Sequence, residues 1–413
     1  MHNFHSFFSE QISEEQAEQV MGEPSLAAFS KVQISFLTSL SLEILNRAES
    51  RRFPDLITFG YFIRPANIEG YFSSRQNSNN FMATGVGSAL HVAPSNIPIN
   101  FAFSWLFGFI AGCKNLVRLP SNESEQIKLF LEAFEKVSSL PEFAEIKKTN
   151  YFFRSERESA VLDSLVPLVD ALLVWGGDST VEYFRALVKS PNVRQIFFPS
   201  RQSSMILKAR GVLDVLESQT QMGFLRSLYN DTFLTDCNAC SSPSKIFFVG
   251  DESDCTKASS LLFSKLDEYV VASNRNIPIV PRMMDSLGSL ESSPDWGEAK
   301  AHGLSVREFR FKDGQTSLKR PLRFGAFLVK NLTAVGEVTL HLSKDEQTII
   351  HWGFSDVEVS DLGHRLSLGG TNATRLVPIG SALDMGFFWE GRDNPASLVK
   401  YLEVVPNTKR GLV

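Results

Sequence analysis

Short apolar segments alternate with helical patterns between residues 85 and 198, and this alternation constrains the fold more than any other feature of the sequence. Parallel strands need long crossover connections, and crossover helices cover both faces of the sheet. Continuous apolar runs of four to six residues are typical of strands buried on both faces. The chain is therefore expected to be an α/β protein with a Rossmann-type parallel sheet. The predicted strands are Ser88–Ala93, Asn115–Leu119, Asn150–Phe153, Ala171–Trp175 and Arg194–Phe198.

Helical periodicity fills the intervals between these strands. Ser121 and Asn122 have side chains suited to an N-cap, and Glu123 and Glu125 place negative charge in the turn that follows. The predicted helices cover Ile99–Cys113, the segment from this cap to about Ser138, Glu156–Val169, and the segment from Gly176-Gly177 to about Lys189.

The two ends of the chain are less regular. We expect a second unit to begin near residue 205, and a tail of short strands and turns to follow Thr348. The other predicted elements are helices at Glu15–Val20, Leu26–Arg51, residues 205 to about 229 and residues 256–273, and strands at Asp55–Phe62 and Lys245–Val249.

Charge and composition exclude several classes of function. The net charge is −5, and no cluster of Lys and Arg stands out, which argues against nucleic-acid binding. The most apolar stretch, Ile97–Cys113, contains Asn100 and Ser104 and predicts a buried helix rather than a membrane span. The first residues lack the pattern of a signal peptide. Four cysteines in such a chain are expected to be reduced, which favours a cytoplasmic location.

The carboxyl ends of the predicted strands are where a ligand is expected to bind. Gly176-Gly177, followed by Ser179, forms a glycine turn that opens a helix, and free N–H groups there suit a phosphate or pyrophosphate. No GxGxxG motif is present, so the motif alone is weak. Arg118, followed by Pro120 and Ser121, ends the second strand; it suits contact with a cofactor ribose or phosphate and equally suits a solvated surface position.

Cys240 is the candidate nucleophile. It lies in a loop of small polar residues, TDCNACSS, which provides room for a substrate and backbone N–H groups near the thiol. Two alternatives remain open for Cys237-x-x-Cys240. The first is half of a zinc site, although no second Cys or His pair has suitable spacing. The second is a redox pair, although the motif precedes a strand rather than a helix.

Asn96 is the candidate oxyanion donor. It lies between Pro94 and Pro98, directly after the first strand of the sheet, and the prolines stiffen the segment that carries its amide. A turn or N-cap role explains the same residue. The histidines show no metal-binding spacing, and no G-x-S-x-G motif occurs, so we expect neither a metal centre nor a serine hydrolase.

Together these segments resemble the acyl-CoA reductase family of bacterial bioluminescence (LuxC-type), within the aldehyde dehydrogenase superfamily. The similarity runs from about residue 85 to the end of the chain and keeps the order of the family's segments. The segments that carry it are GVGSALHVAPSNIPINFAFSWLFGFIAGCKNLVRLPSN, LLVWGGDSTVEYFR, NACSSPSKIFFVG, Gln347-Thr348-Ile349 and RLVPIGSALDMGFFWEGRD.

The resemblance implies an aldehyde-dehydrogenase-like fold with a small oligomerisation element. Its expected parts are an N-terminal segment (1–85), a nucleotide-binding domain (86–204), a catalytic domain (205–370) and a C-terminal segment (371–413). It implies that Cys240 carries the acyl group, and that Asn96 and the Cys240 N–H hold the oxyanion. It also implies that Gly176-Gly177 lies by the cofactor pyrophosphate and that Arg118 lies near the ribose.

The same resemblance indicates the substrate, cofactor and partners. It implies NADPH-dependent reduction of a fatty acyl thioester, carried on CoA or on another carrier, to the aldehyde. The sequence itself does not distinguish NADPH from NADH. The resemblance further implies a homo-oligomer and an acyl-activating partner protein.

One difference from oxidising aldehyde dehydrogenases bears on the direction of the reaction. Those enzymes carry a Glu that activates the hydrolytic water, and residues 197–204 (FFPSRQSS), at the matching place, contain no Glu. A thioester intermediate is then hydrolysed less readily, which favours reduction. The alternatives are an aldehyde dehydrogenase that works oxidatively and a non-catalytic relative that serves as a scaffold.

Overall fold

Two units of the chain, each built around its own sheet, make up the computed structural model. The first unit contains residues 1–199 and 392–413, and the second contains residues 200–391. The structure describes residues 7–9, 11–75, 81–94, 97–156, 158–273, 281, 284–285, 288, 296–311, 318 and 320–405. The division into nucleotide-binding and catalytic domains stays a prediction.

The strands of the described chain are numbered in sequence order. They are β1 (Phe8–Ser9), β2 (Phe81–Gly85), β3 (Ser88–Val92), β4 (Lys114–Arg118), β5 (Asn150–Phe153), β6 (Ala171–Trp175), β7 (Arg194–Phe198), β8 (Gln202–Lys208), β9 (Lys245–Val249), β10 (Trp296–Ala301), β11 (Arg307–Phe311), β12 (Ala326–Leu332), β13 (Glu346–Trp352), β14 (Arg375–Pro378), β15 (Phe388–Trp389), β16 (Arg392–Asp393) and β17 (Val399–Glu403).

The α-helices are numbered in the same way. They are α1 (Glu14–Gly22), α2 (Lys31–Asn46), α3 (Pro54–Phe62), α4 (Pro65–Ser73), α5 (Asn100–Ala111), α6 (Glu125–Ser138), α7 (Ala144–Lys148), α8 (Ala160–Leu165), α9 (Asp178–Leu187), α10 (Ala209–Leu216), α11 (Gln221–Asp231), α12 (Glu252–Ala272) and α13 (Asp356–Leu368).

The first unit contains the predicted parallel sheet. Its strand order is β1-β5-β4-β3-β6-β7, and all of its pairs are parallel. The three strands β3, β5 and β6 are buried along their whole length, which explains their continuous apolar runs. A separate two-stranded sheet joins β17 to β2 in antiparallel register. The predicted α/β class is confirmed, and the five predicted strands are β3 to β7 of this six-stranded sheet.

Three sequence predictions are wrong in detail. Asp55–Phe62 is not a strand but most of helix α3, which begins at Pro54 and buries Leu56, Phe59 and Gly60 on one face. Helix α6 is capped by Ser124, whose side chain accepts the backbone N–H of Ile127, rather than by the Ser-Asn pair before it. The tail after Thr348 contains helix α13, which a Ser355–Glu358 capping box begins.

A chain of polar side chains crosses the apolar interior of the first unit. The Trp175 indole N–H donates to Ser104 Oγ (3.0 Å), and Ser104 in turn contacts Nδ1 of His91 (3.0 Å). His91 Nε2 contacts Asn115 Oδ1 (3.0 Å), and the Asn115 amide donates to Asn150 Oδ1 (2.9 Å). Because Asn115 Oδ1 only accepts, the proton of the neutral ring is on Nε2, and Nδ1 accepts the Ser104 hydroxyl hydrogen. The network therefore specifies one neutral histidine tautomer.

The second unit is built around a seven-stranded sheet of order β10-β11-β12-β9-β8-β13-β14. All its neighbours are parallel except β10 and β11. Apolar residues of α10, α11 and α12 pack on one face, and apolar residues of α13 lie in a cluster on the other. The strand predicted at Lys245–Val249 is β9, one of the three central strands.

Over the ranges given above, no helix combines the length and the apolar character that crossing a bilayer requires.

Candidate active site

Cys240 lies in a tight turn just before β9. The backbone N–H of Ser242 donates to the carbonyl of Ala239 (3.0 Å), so Cys240 takes the first central position of the turn. As a residue Cys240 is partly exposed, whereas Cys113, Cys237 and Cys255 are buried. Among the four cysteines, Cys240 is therefore the one that is not fully enclosed.

Ser203, in β8, holds this turn against two strands. Its hydroxyl donates to the Cys240 carbonyl (2.8 Å) and accepts the backbone N–H of Thr348 in β13 (3.2 Å). Its own carbonyl accepts the N–H of Ser244 (2.9 Å). Ser203 is fully buried, so these bonds are shielded from water. The carbonyl of the candidate nucleophile is thereby held toward the sheet.

The residues before Cys240 adopt an uncommon backbone conformation. Asp236 and Cys237 have φ angles of +51° and +56°, in the left-handed region that non-glycine residues rarely enter. The N–H of Cys237 donates to the Thr232 carbonyl (2.8 Å), and the Asp236 carbonyl accepts the N–H of Phe324 (2.9 Å). Such conformations persist where surrounding contacts determine them. In this loop they shape the approach to Cys240.

The electrostatic environment of Cys240 contains opposing effects. Burial raises the pKa of its thiol to about 11, and the Glu390 carboxylate adds to this rise. A hydrogen bond from Gln347, the thiol's own backbone N–H and the positive charge of Arg375 act to lower the pKa. The free protein therefore holds a thiol at neutral pH, together with the donors that a thiolate or a developing oxyanion requires.

Polar side chains from three segments of the second unit surround this thiol. Arg201 donates to Glu390 Oε2 through Nε and Nη2, both at 3.1 Å, and Gln347 Nε2 donates to Glu390 Oε1 (3.0 Å). Arg375 donates to the carbonyls of Ser381, Ala382 and Asp384 and lies over the Trp389 ring at 4.6 Å. Sequence reasoning did not identify these as site residues, although Gln347, Arg375 and Glu390 lie in segments that carry the family resemblance.

The candidate pyrophosphate loop lies at the carboxyl end of β6, in the first unit. Gly177 is the N-cap of α9 and makes no side-chain cap hydrogen bond. Gly177 and Ser179 are exposed. A Cβ added at Gly176 would lie 3.0 Å from the Cβ of Thr180, so the turn approaches its helix more closely than a larger residue allows. The loop therefore brings the N-terminal end of a helix to an exposed turn, an arrangement that suits phosphate oxygens.

Arg118 is positioned differently from the sequence expectation. It is 1% exposed, and its guanidinium donates to the carbonyls of Ala93 (3.1 Å) and Ser155 (3.0 Å) and to Ser121 Oγ (2.6 Å). Pro120 is also fixed, because its carbonyl accepts a hydrogen bond from Arg154 (2.9 Å). Arg118 thus joins the ends of neighbouring strands and orients Ser121, which is exposed.

Two predictions remain, the oxyanion role of Asn96 and the zinc alternative for Cys237 and Cys240. Asn96 lies outside the described residues, so its role as an oxyanion donor stays a prediction. A zinc site on Cys237 and Cys240 requires further ligands, and within the described ranges no three His, Cys, Asp or Glu side chains are arranged to hold a metal. The second unit brings Cys240 together with Ser203, Gln347 and Glu390.

Comparison of the whole fold finds solved structures with the same architecture. Aldehyde dehydrogenase 21 from Physcomitrella patens, solved with its reaction product succinate, matches with a TM-score of 0.68 at 9% identity, over 97% of this chain and 92% of that one. Lactaldehyde dehydrogenase from Escherichia coli matches with 0.66 at 11% identity, over 95% and 88%. Betaine aldehyde dehydrogenase from Staphylococcus aureus matches with 0.66 at 13% identity, over 97% and 89%. At these identities the likeness establishes the fold.

Comparison of the sequence identifies a family within that fold. No curated protein matches the chain by sequence. The model of the acyl-CoA reductase (LuxC) family matches residues 70–280, which is half of the chain and includes Cys240, Arg118 and the Gly176-Gly177 turn. The predicted fold and family are both confirmed. The chain therefore belongs to the acyl-CoA reductase (LuxC) family, a group of aldehyde-related oxidoreductases, and has the aldehyde dehydrogenase fold.

Proposed function

We propose that the protein reduces a fatty acyl thioester to an aldehyde with NADPH, and that Cys240 carries the acyl group. The observation that carries the proposal is the environment of Cys240. Cys240 is a partly exposed residue at a turn, its own backbone N–H hydrogen-bonds to the sulfur, and Ser203 binds its carbonyl on the side of the sheet. An acyl group on that sulfur would present its oxygen to the same N–H.

The chain's residues divide the reaction into two steps. In the first, the Cys240 thiolate attacks the acyl carbonyl and the carrier thiol departs, taking up a proton, so that one thioester replaces another. The Cys240 N–H, with the predicted help of Asn96, stabilises the charge that develops on the oxygen. After reduction, loss of the Cys240 sulfur from the acyl carbon releases the aldehyde and restores the thiolate.

A nicotinamide cofactor fits the residues at the strand ends of the first unit. The Gly176-Gly177 turn lies too close to Thr180 to accept a side chain without a shift, and the N-cap residue Gly177 provides no side-chain cap for the N–H groups that open α9. We assign these groups and Ser179 to the pyrophosphate and Ser121 to the ribose, with Arg118 and Pro120 supporting Ser121. When bound, a reduced nicotinamide supplies the hydride. The preference for NADPH over NADH is part of the proposal and rests on the family.

The acyl-enzyme is expected to favour reduction over hydrolysis. The carboxylate whose charge raises the pKa of Cys240 belongs to Glu390. Arg201 binds one of its oxygens, and Gln347 binds the other. A carboxylate held in this way is a poor base for water. We therefore favour the reductive direction over oxidation of an aldehyde to an acid.

The proposal extends to the setting of the reaction. A thiol nucleophile must stay reduced, and the cytoplasmic location that the sequence predicts favours that state. The substrate is acyl-CoA or an acyl group on another carrier, delivered by an acyl-activating partner. Apolar side chains are exposed on the two-stranded sheet of β2 and β17, among them Met82 and Leu402. Such a surface supports the predicted homo-oligomer.

Product analysis tests the proposal. With acyl-CoA and NADPH, the wild-type protein should form aldehyde and free CoA in equal amounts, and the Cys237→Ala variant should do the same. The Cys240→Ala variant should form neither product. Equal losses from both cysteine variants would instead indicate a redox or metal pair. Formation of acid from aldehyde and NAD(P)⁺, without CoA, would indicate the oxidative alternative.

A further inference from the structure

We propose that Gln347 is a catalytic residue that donates a hydrogen bond to the reacting sulfur of Cys240, and that the Arg201–Glu390 pair is the positioning device that fixes which end of its amide faces the sulfur. The proposal deepens the proposed function and rests on it for the role of Cys240. Its test requires neither substrate nor cofactor.

The first step of the argument is the geometry of the amide. Gln347 is 1% exposed and lies on β13. This strand pairs with β8, and Ser203 of β8 holds the Cys240 turn. Its Nε2 donates to Glu390 Oε1 at 3.0 Å, and its side chain also hydrogen-bonds with the Cys240 sulfur. An amide nitrogen has two hydrogens, so one nitrogen serves both partners.

The second step is the orientation of that amide, which chemistry decides. A carboxylate only accepts hydrogen bonds, so the amide must turn Nε2 toward Glu390. With the amide reversed, its oxygen would face a carboxylate oxygen, and two acceptors would repel each other. The amide oxygen of Gln347 is buried and has no hydrogen-bond partner among the described residues. The observed orientation therefore leaves an acceptor unsatisfied, because Glu390 requires the donor.

The third step is what holds Glu390. Its side chain is 4% exposed, and Arg201 binds Oε2 through two nitrogens at 3.1 Å. The Glu390 backbone has a φ angle of +49°, in the left-handed region. A glutamate is an unfavourable choice there, whereas glycine or asparagine is well suited. The carboxylate of Glu390 is buried and is hydrogen-bonded by both Arg201 and Gln347. A residue held in this way at a strained backbone position is typical of a functional constraint.

The consequence concerns the thiolate. A hydrogen bond donated to the charged form stabilises that form, so the Gln347 amide opposes the effect of burial on Cys240. The negative charge of Glu390 acts in the opposite sense, by repelling the thiolate. Arg375 adds a favourable positive charge. Glu390 is thus useful to the nucleophile through the orientation of Gln347, and unfavourable through its charge.

The first test measures alkylation of Cys240 by iodoacetamide between pH 7 and about 9, resolved by peptide mass, in the full-length protein without acyl-CoA or NADPH. Gln347→Met keeps the length of the side chain and removes the donor. The hydrogen bond stabilises the thiolate and so increases its population, whereas a more basic thiolate is intrinsically more nucleophilic; loss of the donor should therefore slow alkylation by about 3- to 15-fold at each pH.

The matched control is Gln202→Met. Gln202 is another buried glutamine of the same sheet, but its amide donates to the Leu318 carbonyl (3.0 Å). Its loss should leave the alkylation rate of Cys240 unchanged. If Gln347→Met does not fold, Gln347→Asn serves instead, because its shorter amide does not span both partners. An unchanged rate in the Gln347 variant, or equal losses in both glutamine variants, would overturn the proposal.

A double-mutant cycle tests the role of Glu390. In the Gln347→Met background, Glu390→Gln removes the repulsion and the Arg201 ion pair, with no amide left to reorient, and should speed alkylation. In the wild-type background the same change also frees the amide to reverse, so the gain should be smaller or become a loss. Equal effects in both backgrounds would show that Glu390 does not orient Gln347.

The outcomes also separate this inference from the proposed function. Slow alkylation in Gln347→Met together with no acyl transfer from any thioester would reject the proposed reaction and retain the donor. Normal alkylation together with an acyl-enzyme would do the reverse.

Discussion

The stability of the first unit should depend on pH through His91. This histidine is fully buried, and burial lowers its pKa from the ordinary 6.5 to about 4. Its two nitrogens are already used, one as an acceptor from Ser104 and the other as a donor to Asn115. Protonation would put a second hydrogen between Nδ1 and the Ser104 hydroxyl, which would have to turn away. The folded chain therefore resists the proton that the unfolded chain accepts.

The sign and the size of the effect follow from linkage. Between pH 6.5 and pH 4 the unfolded state binds more protons at this site than the folded state, so stability falls as pH falls through that window. The difference in pKa, at 1.36 kcal/mol for each pKa unit, corresponds to about 3 kcal/mol lost when pH 4 is reached. Above pH 6.5 the contribution is constant, since His91 is neutral in both states.

Urea unfolding, followed by tryptophan fluorescence at pH 7.5 and at pH 4.5, measures this contribution. The His91→Gln variant has no titrating group here and should lose less stability between the two values than wild type does. His364→Gln, at an exposed histidine of α13, should behave like wild type. If His91→Gln and wild type lose equal stability on acidification, His91 is not the buried neutral base described above.

Two further predictions concern the buried ion pair of the second unit and the glycine turn of the first. Glu346→Gln should lower the unfolding free energy by about 3–5 kcal/mol, because it leaves the buried Lys245 side chain, 1% exposed, without the counter-charge that lies 2.7 Å away. Replacing Lys245 by Met and Glu346 by Leu together should cost far less, because no charge is then left unpaired. Urea unfolding distinguishes the single variant from the double variant. Gly176→Ala should weaken NADPH binding about tenfold, because the added methyl group would push the turn away from Thr180. Gly70→Ala, where a methyl group meets no neighbouring atom, should leave the affinity unchanged. Calorimetric titration measures both affinities, and equal values for the two variants would reject the turn as a cofactor site.

The strands of the first sheet were predictable because burial on both faces produces uninterrupted apolar runs. Ala171–Trp175 and Arg194–Phe198 match β6 and β7 at both ends. Helix α3 was misassigned because its β-branched and aromatic residues suit a strand, although Pro54 at its start is a helix signal. Helix α13 was missed, although Ser355 and Glu358 form a capping box in the sequence.

The candidate nucleophile was evident from the sequence, and the groups that surround it were less so. Cys240 stands out by its small polar loop and by the resemblance of its segment to a family. Gln347 and Glu390 are separated from it by more than a hundred residues, and no spacing marks them. Only the order of β9, β8 and β13 in the sheet brings Gln347 close to the thiol. Arg118 looked like a ligand contact, but its burial and its carbonyl partners became apparent only in the fold.

The central claim is that Cys240 forms an acyl-enzyme, and intact-protein mass after mixing with myristoyl-CoA, without nicotinamide, tests it most directly. We predict a mass gain of one acyl group that disappears on addition of NADPH and never forms in the Cys240→Ala variant. An adduct that persists in Cys240→Ala would place the acyl group elsewhere. No adduct with short, medium or long acyl-CoA, or with an acyl group on a protein carrier, would contradict the account.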